Sequence, residues 1–248
     1  MMRKFTITIL FLVLFTKFSI SQVSKETQNI KQVWVGYLNQ TRFSNHWGSW
    51  LDLHLRTKED FTKNFSQAVF RLGLTYYFTD NTSFTAGYAY MNHFPADNHK
   101  YISQPEHRPW QQIVWIKQYP RIKTTQRFRL EERFKRKIAT ESQLADGYGF
   151  NYRLRYNFLM NIPLGKRPFA PNTLAFVIND EVHVNFGKEI IYNYFDQNRF
   201  FLGFAFQVNK HDNLQFGYMN VFQQLDAGNK YKSIHALRIF YFHNLDLR

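Results

Sequence analysis

The chain contains no cysteine. Disulfide staples, thiol chemistry and zinc sites built on Cys are therefore excluded. Beyond the first 21 residues no apolar run is long enough to cross a bilayer as a helix. No H-x-x-x-H or H-E-x-x-H spacing occurs, so metal binding has no support, no cofactor is expected, and His99, His107 and His211 read as loop histidines. There is no G-x-S-x-G elbow, and no neighbouring Ser–His pair stands out. Acids are also scarce: 18 Asp and Glu face 32 Lys and Arg, a net charge of +14. In a cytosolic protein that excess would suggest nucleic acid. No RNA-binding signature, zinc-finger spacing or basic helix accompanies it, so nucleic acid is not an expected partner.

What is present begins with a targeting pattern. Arg3 and Lys4 form a basic n-region, residues 5–15 (FTITILFLVLF) an apolar h-region, and Ser19 and Ser21 the small residues of a cleavage site. The expected organisation is a cleaved signal at 1–21 and one domain at 22–248. Loss of Arg3, Lys4 and Lys17 leaves +11 on the exported chain. Outside the cytoplasm that charge suits anionic lipid head groups, anionic solutes or the protein's own buried acids. Aromatic residues make up 19%, with 27 Phe and 15 Tyr, yet mean hydropathy is −0.45. Many half-buried strands, each with one apolar and one polar face, reconcile the two.

The stretch TQRFRLEERFKR (125–136) shows the choice. As a helix it offers Leu130, Phe134 and Ile138 at i, i+4, i+8 and two favourable Glu–Lys/Arg pairs. As a strand it puts Phe128 and Leu130 on one face and Arg127, Arg129, Glu131 and Arg133 on the other. The neighbours decide, because they alternate with period two. Phe70, Leu72, Leu74 and Tyr76 oppose Arg71, Gly73 and Thr75. Tyr152, Leu154 and Tyr156 oppose Arg153 and Arg155. Phe204 and Phe206 oppose Gly203, Ala205 and Gln207. Eleven segments carry strand character: 32–43, 47–57, 65–78, 83–94, 109–119, 122–135, 147–160, 173–186, 198–209, 214–225 and 233–245. Repeated alternating segments of this length, without a helical span, predict an all-β, single antiparallel transmembrane barrel with a charged lumen. A lipocalin-like soluble binder is the competing fold. Glu132 falls on the lipid side, which is tolerable only at an interface.

Short turns (TDNT, PRI, KHDN) place one side of the barrel in the periplasm, and longer loops at 95–107, 136–146, 187–197 and 226–232 place the other outside. The first of eleven strands would then begin outside. A further crossing by residues 23–31 removes the conflict, so about twelve strands (10–12) are expected.

The blocks WVGYLNQTRFSNHWGSWLDLHLR, HRPWQQ, QRFRLEERF, YRLRYNF, NDEVHVNFG, FDQNR and LQFGYMN, in this order from Val33 onward, resemble the domain-of-unknown-function family twenty-four ninety. The resemblance implies an outer-membrane β-barrel of a Gram-negative, Bacteroidetes-type bacterium, and it assigns no activity. Such a location implies contact with outer-membrane lipids and lipopolysaccharide, and with the barrel-assembly machinery during biogenesis.

The alternation sends Asp52, His54, Arg56, Arg71, Arg127, Arg129, Glu131, Arg133, Arg153, Arg155, Glu181, His183 and Arg199 into the lumen. Three readings fit this set. A salt-bridged interior can be architecture, with Arg–carboxylate pairs satisfying each other; this is the reading that the sequence favours. An arginine-lined path or pocket can take small anionic solutes. An outer-membrane lipid-modifying enzyme is the third, with a Ser or Thr activated by His93, His235 or His243. Glu131 and Glu181 could serve as acid and base, but so many arginines make them ion-pair partners first. FDQNR (195–199) reads as a loop clamp at the barrel mouth or as a recognition site. NIPLGKRPFAPN (161–172) reads as a stiff linker or a contact for a periplasmic partner.

Overall fold

The computed structural model describes residues 25–96, 99–165 and 169–248; the expected signal at 1–21 lies outside them. Among the described residues there are eleven strands, and no helix is long and apolar enough to cross a membrane. The strands are β1 (Glu26–Arg42), β2 (Trp47–Glu59), β3 (Lys63–Thr79), β4 (Thr82–His93), β5 (Gln104–Gln118), β6 (Lys123–Thr140), β7 (Gln143–Leu164), β8 (Thr173–Phe186), β9 (Phe195–Gln207), β10 (Asp212–Gln224) and β11 (Lys230–Asp246). Each coincides with one segment read from the alternation. TQRFRLEERFKR lies within β6.

Each strand pairs antiparallel with the next, and β1 closes the barrel against β11. That last seam is parallel, running in register from Glu26↔Lys230 to Arg42↔Asp246. An odd strand number requires one parallel pair. It also puts the start of β1 and the end of β11 at opposite ends of the barrel, here called the N-end and the C-end. Among the described residues the barrel closes with eleven strands, within the expected range of 10–12 and one fewer than the twelve favoured. Residues 26–31 lengthen β1 rather than forming another crossing, and a closed sheet offers no edge for a twelfth strand.

The connections also differ from expectation. Residues 136–146 are not a long loop, because β6 and β7 continue to Thr140↔Gln143, with bulges after Arg136. β5 starts at Gln104, so Glu106 and His107 are strand residues. The connection at 165–172 sits at the C-end with the short turns, on the side where the sequence reading puts it, although it is long. Loop length is thus a weaker guide to orientation than the sequence suggested.

The outer face of the barrel is apolar all round. Leu53, Phe70, Leu72, Phe128, Leu154, Phe204 and Ile239 are among its exposed residues. The inner face is packed. Trp34, Val177, Phe201, Met219, Val221 and Ala236 belong to one apolar cluster on the β8–β11 and β1 side. Trp50, Ala89 and Trp110 form another. Trp110 fits because Gly73 and Gly87 face each other across β3 and β4. A Cβ on Gly87 would approach Leu72 O to 2.0 Å and Trp110 Cζ2 to 2.8 Å.

At the C-end, Arg42 Nη1 donates to Asp80 Oδ1 at 2.7 Å, and Arg248 reaches the same carboxylate at 3.4 Å. The hydrogen bond from Arg42 holds the Asp80 carboxyl below its usual range. These contacts join the end of the parallel seam to the β3–β4 turn.

Candidate functional site: an arginine-rich lumen

The period-two alternation of β5 to β9 fixes which side chains enter the barrel, and the register stacks them. Glu131 on β6 lies opposite Arg153 on β7, and Arg155 lies opposite His183 on β8. Three glutamates therefore become nodes.

Glu131, 1% exposed, accepts from Arg153 Nε at 2.9 Å and Arg155 Nη1 at 2.6 Å. Glu181 accepts from Arg155 Nη2 at 2.7 Å, Arg127 Nη2 at 2.6 Å and His183 at 3.0 Å. Arg199 stands 3.8 Å from the same carboxylate. Glu106 is 0% exposed and accepts Arg108 bidentately at 2.6 and 2.8 Å. It also holds Arg133 Nε at 2.7 Å and contacts His93 at 2.7 Å. Asp196 bridges Arg153 at 3.0 Å. Across the lumen, Asp52 pairs with Arg71 and His54. Burying an ion costs several kcal/mol, and multiple charge-assisted bonds offset that cost.

All thirteen lumen residues named from the sequence are buried or half-buried on the inner face. Glu131, Arg155 and Glu181 are brought together. Arg133 instead serves Glu106, and Arg129 bonds Gln112 Oε1 at 3.0 and 2.6 Å while standing 3.9 Å from Glu131. Glu106, Arg108, Asp196 and Arg238 were missed. HRPWQQ, with Pro105 and Pro109 on either side of Arg108, resembled a loop end, yet Pro105 precedes the first β5–β6 pair and Pro109 falls where the two strands skip Arg108 and Pro109 in their pairing. FDQNR contributes to the network, as Asp196 and Arg199 both point inward. The A-L-R alternation was available for Arg238.

The charges do not balance. Ten arginines line one cavity of about 900 Å³: Arg56, Arg71, Arg108, Arg127, Arg129, Arg133, Arg153, Arg155, Arg199 and Arg238. Among the described residues five carboxylates are buried with them: Asp52, Glu106, Glu131, Glu181 and Asp196. On the rim Lys31, Lys58, Lys123 and Lys232 outnumber Glu59 and Asp60. Several arginines rest on neutral partners. Arg56 donates to Gln67 at 2.5 Å and lies 3.7 Å over the Trp34 ring. Arg238 donates to Gln215 at 3.0 Å and lies 4.2 Å over Phe201. The buried Nε atoms of Arg56, Arg71, Arg127, Arg199 and Arg238 find no acceptor within the protein.

Polar groups also meet on the outer face near the N-end. His107 lies between Tyr88 and Tyr148 and is not the loop histidine that the sequence suggested. His235 contacts Tyr218 OH at 2.6 Å and Ser233 at 3.5 Å, with Asn220 donating to Ser233 at 3.1 Å. So a Ser–His pair exists at i, i+2, a spacing overlooked in the sequence. The Ser–His contact is long, and the exposed Tyr218 rather than Ser233 is the close partner of His235. No group of His, Asp and Glu suited to a metal occurs among the described residues.

The model of a family described as "Protein of unknown function (DUF2490)" matches residues 31–232. No curated protein and no solved structure matches the chain.

Proposed function

We propose that this chain, which belongs to the DUF2490 family, is an outer-membrane β-barrel that takes small anions into an arginine-rich lumen. The observation that carries the reading is the excess of ten lumen arginines over five buried carboxylates around a cavity of about 900 Å³. An interior built only for support would approach neutrality, because each uncompensated buried guanidinium adds a desolvation cost. Here fixed donors with free Nε groups await an acceptor, and carboxylate, sulfate or phosphate supplies one. The apolar exterior supports insertion in a bilayer, since soluble proteins rarely expose such continuous apolar surface. The N-terminal targeting pattern supports export.

Reconstituted wild type should raise its thermal midpoint with added sulfate beyond the effect of chloride at equal ionic strength, as ligand linkage requires. Any conductance in planar bilayers should prefer anions, and Arg129→Ala should weaken both effects. A protein that is electrically silent and indifferent to sulfate would leave the proposal without support.

The antiparallel run β9–β10–β11 gives a second expectation. The chain lacks cysteine, so single cysteines report cleanly. Ala227→Cys in the β10–β11 loop and Lys210→Cys in the β9–β10 turn should react with an impermeant maleimide from opposite sides of the membrane. Reaction of both from one side would contradict a spanning barrel.

A further inference from the structure

The lumen is not uniform along its axis. On β5 the inner face reads Arg108, Trp110, Gln112, Val114, Ile116 toward the C-end. On β7 it reads Arg153, Arg155, Asn157, Leu159. On β8 it reads Glu181, Asn179, Val177, Ala175, and on β9 Arg199, Phe201, Gly203, Ala205. On β11 Arg238 is followed by Phe240 and Phe242. From the arginine level five strands thus pass from charged or polar to apolar in the same direction, and β7, β9 and β11 then end in Asn161, Gln207 and Asn244 at the rim. Leu38 and Phe242 pack against the same apolar cluster and line the cavity. β6 and β10 depart from this pattern: Thr125 and Lys123 keep β6 polar to the C-end, and β10 runs from Val221 and Met219 to Gln215 and Asn213 in that direction.

Resting on the anion reading, we infer that the lumen's ligand is a single-chain anionic amphiphile. Its carboxylate or phosphate lies against Arg127, Arg129 and Arg238, and its alkyl chain runs toward the C-end along Leu38, Leu159 and Phe240. Three features require an acid head with an apolar tail. Arg127 and Arg238 each keep a buried Nε without an acceptor in the protein. Arg129 faces a neutral glutamine rather than a close carboxylate. Just beyond them the wall carries an apolar band, with Leu38, Val114, Leu159, Phe240 and Phe242, before a polar rim of Gln40, Asn161, Gln207 and Asn244. A wholly polar anion would leave that apolar band in contact with water, and a neutral lipid would leave the Nε donors of Arg127 and Arg238 without an anionic acceptor; both are unfavourable. The cavity, about 900 Å³, falls within the roughly 300–1,000 Å³ of small-molecule sites.

The test uses the full barrel in zwitterionic phospholipid nanodiscs with dodecanoate carrying a photoreactive diazirine near its chain end. Cross-links should map by mass spectrometry to inward residues such as Leu38, Leu159 and Phe240. Excess dodecanoate should suppress them and dodecanol should not. Arg127→Gln and Arg238→Gln should each lower inward labelling on the order of tenfold, the loss of a charge-assisted hydrogen bond. The dodecanol comparison needs no variant, so a folding defect in either substitution leaves the test intact. Labelling confined to outward residues such as Phe204 and Tyr241, or equal competition by dodecanol, would overturn the inference. Sulfate binding that persists while dodecanoate labels only the exterior would overturn the amphiphile and leave the anion reading standing. Failure of both ligands would remove both.

Discussion

Glu131→Ala should lower the barrel's stability by about 3–5 kcal/mol, the usual cost of removing one member of a buried ion pair. Glu131 is almost fully buried between Arg153 and Arg155, with Arg108 and Arg129 within 4 Å. Its loss leaves those guanidiniums confined with three carboxylates, Glu106, Asp196 and Glu181, in place of four. The effect approaches the whole stability of many domains. It should appear as a marked fall in the temperature at which the folded band converts on unheated gels. Glu131→Gln should cost less, because the amide oxygen still accepts. Adding Arg153→Met to Glu131→Ala should recover part of the loss, since removing both partners leaves no orphaned charge. A Glu131→Ala barrel that melts with wild type would show that the network contributes nothing to stability. Architecture and anion binding share these residues, so this experiment bears on the first and leaves the second to the ligand titrations.

Leu72→Arg separates a bilayer from water as the barrel's surroundings. Leu72 sits mid-strand on β3, is 48% exposed, and lies between Leu51 on β2 and Tyr88 on β4. In a membrane, arginine there should cost about 2–4 kcal/mol, with poor assembly and little protein in the outer-membrane fraction. On a water-exposed surface the same change should stay within about 0.5 kcal/mol. Lys63→Arg, at the strand's N-end margin, is the control and should be silent in either case. If Leu72→Arg assembles and melts as wild type does, the apolar exterior faces something other than lipid, and the outer-membrane proposal falls with it.

Why the lumen carries an excess of charge bears on how such a barrel can be read. A salt-bridged interior was the favoured reading of the sequence. With the residues named from the sequence, eight arginines and three acids can be paired on paper in many ways. The structure adds two arginines and two carboxylates, and it also shows that several arginines end on glutamine or aromatic rings. That arrangement moves the preference toward an anion from outside.

The sequence by itself determined the strands and their faces. Period two is a local property: Phe70, Leu72 and Leu74 must oppose Arg71 and Gly73 whatever the strand pairs with, and burial follows that alternation along β3. It was least reliable where proline interrupted the signal, so Glu106 and Arg108 were left at a loop end although both sit on β5. Only the tertiary structure decided three further matters. The strand count depends on closure, because β1 meets β11 from the far end of the chain in a parallel seam that no local pattern encodes. The ion-pair partners depend on register and on reach across strands: Arg127 meets Glu181 from two strands away, 54 residues along the chain. The gradient from arginine to apolar wall emerges only when five inner faces are aligned along one axis. Alternation tells each side chain which way to point, and contacts between distant segments of the chain decide what it finds there.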